Sequence, residues 1–116
     1  MSKIIDLNVL VKDPLIFKDV QGDTYTIPGE ISTRFVIKLS KYAQDIGRLK
    51  NEEKALEKMQ QIVIDILSLD KSKNIDIALI NERFDDIRIL KLIIQSMMEH
   101  VREIAADPNS NSPESK

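Results

Sequence analysis

The most regular apolar and polar alternation in the chain runs from Asp86 to Ala105. There Ile87, Leu90, Ile94, Met97, Met98, Val101 and Ile104 recur at spacings of three and four, which in a helix gathers them on one face. Arg88, Lys91, Gln95, Glu99 and Arg102 fall opposite, so the segment is predicted to be a two-sided helix around which the remainder packs. One group does not fit this division. Ile89, Leu92, Ile93, Ser96 and His100 line up on a further strip, three, four, seven and eleven residues from Ile89, on the side expected to face water. A helix with two apolar strips either runs through the middle of its own domain or meets a second chain. These five residues form the candidate protein-interaction strip.

Ahead of that helix the pattern changes character several times. Residues 1–14 follow neither period two nor period 3.6; a turn or two of helix from Asp6 is conceivable, and Pro14 would end it. Ile16-Phe17-Lys18 and Thr24-Tyr25-Thr26-Ile27 are β-branched and aromatic, and Asp19-Val20-Gln21-Gly22-Asp23 between them holds a glycine where positive φ is expected. A β-hairpin at about 15–28 follows. Two strands alone are marginal in water, so Phe17, Tyr25 and Ile27 are expected to lie on the helices. Pro28-Gly29 closes the second strand, and Ser32 is placed to cap a helix from Thr33 with its seam at Phe35, Leu39, Tyr42, Ile46 and Leu49. Asn51 can cap a second helix ending near Leu69, with Glu52 and Glu53 in its favourable first turn and a seam of Leu56, Met59, Val63, Ile66 and Leu67 widened by Ile62. Asp70 to Asn74 reads as a polar loop, Asp76 to Arg83 as a short helix burying Leu79 and Ile80, Phe84 as a plug, and Asp85 as the cap of the last helix.

The expected fold class is therefore mainly α: about four helices with an N-terminal β-hairpin, in a single domain over 1–106. From Asp107 to Lys116 no apolar side chain occurs. Nothing there offsets the ~1–2 kcal/mol per residue that ordering a backbone costs, so 107–116 is expected to be a disordered tail or linker. Composition refines this picture only slightly. With 4% aromatic residues and no Trp, the interior must be aliphatic. Seventeen basic and nineteen acidic residues are mixed along the chain, which offers no basic arm for phosphates. The absence of cysteine excludes a disulfide framework and fits an intracellular setting. The apolar run within Met1 to Val11 is too short and polar for a signal segment, and no stretch reaches the length of a membrane span.

Catalytic chemistry finds little support. The single histidine, His100, could be imagined as a general base, but a lone histidine on a helix flank is far more often a packing or surface residue. The carboxylate pairs Glu52-Glu53 and Asp85-Asp86 could serve acid and base roles; each also stands where a helix starts, and capping accounts for them. Asp19, Gly22 and Asp23 lack the alternating oxygens and closing glutamate of a calcium loop, so a turn is the better reading. No metal, cofactor or catalytic residue is assigned. A helix-turn-helix over 76–105 would place Asp85 and Asp86 against phosphates, which opposes a DNA-binding role. Met97-Met98 could form an adaptable binding surface, though adjacent methionines on an apolar face more often belong to the core.

Across Tyr25-Thr26-Ile27-Pro28-Gly29-Glu30-Ile31-Ser32, followed by a helix with Phe35 and Leu39, the sequence resembles the tail assembly chaperones of long-tailed phages and prophages of Gram-positive bacteria. The Asp6-Leu7-Asn8 start, the acidic second helix, and the Ile93 to Glu103 helix giving way to Asp107-Pro108-Asn109-Ser110 agree with it. The resemblance implies a non-enzymatic, mainly helical protein of the host cytoplasm, absent from the mature virion. It would bind the tape measure protein and keep it soluble while the tail tube assembles; the second strip on the last helix, taken with this likeness, points to a chain that self-associates or coats a helical partner. It also implies a longer, frameshifted form reaching the tail-tube protein, in which 107–116 would be a linker. A virion structural or scaffolding protein is the alternative, and a small phage regulatory DNA-binding protein a weaker one.

Overall fold

The computed structural model describes residues 2–7 and 12–105. The helix considered from Asp6 runs into residues 8–11, and the tail at 107–116 follows residue 105, so both expectations lie outside the described residues. The protein is mainly helical, with β1 (Leu15–Lys18), β2 (Thr24–Ile27), α1 (Thr33–Ile46), α2 (Glu52–Leu67), α3 (Ile77–Arg83) and α4 (Ile87–Ala105) in chain order.

The two strands pair antiparallel, with Leu15 opposite Ile27 and Phe17 opposite Tyr25. Period-two alternation sends those four inward and leaves Ile16, Lys18, Thr24 and Thr26 in solvent. Gly22 in the connection has φ 91°, the left-handed conformation that the turn was expected to need. After β2 the chain is crossed closely by its own N-terminal part: the Lys12 N–H donates to the Gly29 carbonyl at 3.2 Å. A Cβ on Gly29 would stand 1.6 Å from the Lys12 carbonyl oxygen, so only glycine fits there.

Each helix start is fixed by a side chain. Ser32 Oγ accepts the Phe35 N–H, Asn51 Oδ1 accepts those of Glu53 and Lys54, and Asp76 Oδ1 accepts that of Leu79. At α4 the expected cap shifts by one residue. Asp86, not Asp85, accepts the Arg88 N–H at 2.9 Å, and its carbonyl takes the Ile89 and Leu90 N–H groups. α2 also stops earlier than expected, at Leu67, after which Leu69 and Asp70 donate to carbonyls three residues back in tighter turns.

The packing centre is α2, which touches α1, α3, α4 and β2, whereas α4 meets chiefly α2. This corrects the expectation that everything packs around the last helix. The reason lies in the run Ile62-Val63-Ile64 followed by Ile66-Leu67, which makes α2 apolar on more than one side. Val63, Ile66 and Leu67 have no exposed surface. Each such side chain contributes about 1.5–3 kcal/mol, against about 1 kcal/mol for a cap, so burial along α2 outweighs the local signals at helix ends. Leu56 of α2 and Ile87 of α4, both expected on a seam, are 38% and 49% exposed, and Leu49, expected on the seam of α1, lies beyond that helix, which Gly47 ends after Ile46. Ile87 opens α4 and Leu56 starts the second turn of α2, and both line an open depression where those helices begin.

Candidate functional site

A helix turns about 100° per residue, and that rotation decides the fate of the five strip residues. The buried arc of α4 holds Leu90, Ile93, Ile94, Met97 and His100. Ile93 and His100 therefore belong to the core face, 4% and 6% exposed, and not to the water side where they were expected. Ile89 and Ser96 are half-buried on its edge. Leu92, turned roughly 130° from the middle of the arc, is 62% exposed. The strip is one flank of a broad core face, running from sealed to open. Leu92, Ser96 and His100 share an open depression of about 390 Å³ with Leu15 of β1, and Gln95, Glu99 and Glu103 form its polar side.

His100 is held for a structural reason. Its Nε2 lies 3.0 Å from the Pro28 carbonyl, which can only accept, so Nε2 carries the proton and donates. That bond fastens the exit of the hairpin to α4 and brings Leu15 beside Leu92.

Sequence reasoning missed the polar network on the hairpin's other side. Asp19, whose side chain has no exposed surface, accepts hydrogen bonds from Tyr25 Oη (2.7 Å), Arg83 Nη1 (3.0 Å) and the backbone N–H groups of Gln21 and Asp23. Burial alone would raise its pKa, and these donors outweigh burial and lower it to about 2. Tyr25 moves the other way, pushed up to about 12 by burial first and then by its bond to Asp19. Arg83 also pairs with Asp23, and Asp23 and Asp19 together raise its pKa. The Tyr25 ring meets Phe84 edge-on at 5.7 Å and lies under the Lys73 ammonium. Asp19 and Asp23 bracketing Gly22 were the visible signal; their partner Arg83, sixty residues on, was not. With its oxygens taken by donors, Asp19 closes a turn, as expected. Among the described residues no group of three or more His, Asp or Glu side chains is placed to hold a metal ion.

Asp70 performs a similar task on the edge of β2, accepting the Thr26 N–H at 2.8 Å. Bonds from the Ser72 hydroxyl and then from Thr26 lower its pKa. The carboxylate pairs Glu52-Glu53 and Asp85-Asp86 come to one open depression between the starts of α2 and α4, and Asp86 is held there by Arg88. No helix among the described residues is long and apolar enough to cross a membrane. Comparison of the chain with protein-family models, curated proteins and solved structures gives no significant match.

Proposed function

We propose that this chain is a non-enzymatic tail assembly chaperone, which binds the tape measure protein of a long-tailed phage or prophage and holds it soluble while the tail tube forms. The observation that carries the reading is Leu92, a large aliphatic side chain 62% exposed in mid-helix beside an apolar strand residue. A rod-like helical partner laid along α4 would cover it by helix-in-groove contact. The likeness of residues 25–32 to that family supplies the particular partner. The hairpin then has a role in the site, because the His100 bond to Pro28 sets Leu15 beside Leu92. Self-association, and a longer frameshifted form that meets the tail-tube protein, belong to the same reading.

Co-expression with the tape measure protein tests it. The wild-type chain is expected to keep that protein in the soluble fraction, and Leu92→Asp to lose this effect while its circular dichroism and melting temperature stay unchanged. A tape measure protein equally soluble with the variant, or with no chain at all, defeats the proposal. Mass spectrometry of purified particles separates the virion-scaffold alternative, since a chaperone is expected to be missing from finished tails.

A further inference from the structure

Two open grooves flank α2 on nearly opposite sides, and their charges are opposite. The first, about 580 Å³, lies between the starts of α2 and α4. Leu56, Met59 and Ile87 line it, and Glu52, Glu53 and Asp85 stand on its rim, among the described residues, without ion-pair partners, with Lys91 the one cation among the residues lining it. The second, about 430 Å³, runs between α1 and α2. There Lys38 and Lys58 are taken by Asp65 and Asp45, while Arg34 and Lys41 have no ion pair among the described residues. Arg34, Ile37 and Lys41 follow one another at three and four residues, so they form a single ridge of α1, with the 51% exposed Ile37 between those two cations.

Helix-dipole compensation explains Glu52 and Glu53 singly. It does not explain why Leu56 and Ile87 lie open beside them, or why a basic ridge of matching composition stands on the far side of α2. We propose that the α1 ridge of one copy docks into the acidic groove of a second copy, Ile37 covering Leu56 and Ile87 while Arg34 and Lys41 meet Glu53 and Asp85. This rests on the reading of the chain as self-associating and names the surfaces that would do it. Because the two surfaces differ, the contact is heterologous. It repeats from copy to copy, closing into a ring or continuing as a filament.

Sedimentation velocity over a concentration series, at low and high salt, tests the contact with two charge-reversed proteins. One carries Glu53→Lys and Asp85→Lys, the other Arg34→Glu and Lys41→Glu, all at exposed or rim positions whose folding circular dichroism checks. The wild type is expected to gain mass with concentration, less so in high salt. Each reversed protein alone is expected to associate roughly tenfold or more weakly, because like charges then face each other. Mixed one to one they are expected to regain association, since reversed groove meets reversed ridge and native groove meets native ridge. Assembly unaffected by either reversal, or folded variants that fail to rescue each other, overturns this contact while leaving self-association by another surface. A wild type still monomeric at about 1 mM, the weak limit of specific binding, overturns it as well, and leaves tape measure binding to be judged by the solubility experiment.

Discussion

Asp19 carries a charge with no exposed surface, and such a charge persists only where hydrogen bonds replace the water it has lost. Four donors do so here, two from the turn's own backbone and two from side chains that come from β2 and α3. The network therefore does more than close a turn; it is the polar bond between hairpin and helices. Asp19→Asn keeps the size of the side chain but takes from Arg83, itself mostly buried, one of the two carboxylates its Nη1 pairs with, leaving Asp23, and sets an amide nitrogen against two of the four donors. We expect a loss of about 2–3 kcal/mol, as for buried hydrogen bonds to a charged group left unmade. Tyr25→Phe removes one charge-assisted bond and keeps the ring against Phe84, so it is expected to cost less, about 1.5 kcal/mol. Urea denaturation midpoints of the two variants check both the size and the order.

At the level of single elements, α4 offers a comparison between neighbours of similar chemistry. Ile93 and Leu92 are adjacent and equally apolar, yet one is 4% and the other 62% exposed. Ile93→Ala is expected to lower stability by about 2–5 kcal/mol through lost burial and the cavity it leaves. Leu92→Ala should change it by no more than about 0.5 kcal/mol. Thermal melts of the two proteins decide whether the outer flank of α4 is free for a partner or needed by the fold. The same pair shows what could be read beforehand. Helix starts at Ser32, Asn51 and Asp76, the hairpin and the Gly22 turn were legible because each is written in residues within a few positions of one another. The width of the core face on α4 was not, because it depends on Pro28 docking on His100, seventy-two residues away in sequence. The central place of α2 was hidden for a related reason: periodicity marks which side of a helix is apolar and is silent about how many neighbours share it. The cap at Asp86 was misplaced by one because either carboxylate of the pair could turn back over the helix, and Arg88 selects the second.

For the molecule as a whole, the ties between hairpin, loop and helices depend on ionised carboxylates, which gives stability a definite acid limit. Asp19 and Asp86 are lowered from 3.8 to about 2, and Asp70 is lowered as well. A carboxylate with a depressed pKa in the folded state binds its proton more readily once unfolded. Its contribution is therefore complete above about pH 4 and lost as pH falls through the folded value near 2. The three are unequal. Asp86 is partly open to solvent and its pairing with Arg88 is screened, so it counts for little, whereas Asp19 is sealed and its shift corresponds to something on the order of 2 kcal/mol. Asp19 and Asp70 both fasten the hairpin, so acid should weaken that attachment ahead of the aliphatic core formed by α2 and α4. Unfolding free energy from urea titrations is expected to hold nearly level from pH 7 to pH 4.5 and to drop between pH 4 and pH 2. In Asp19→Asn the level part should lie lower and the drop should be shallower, because the group responsible no longer titrates. An equally steep fall in that variant would mean that the acid sensitivity arises elsewhere, and that the buried carboxylate is not what holds the hairpin to α3.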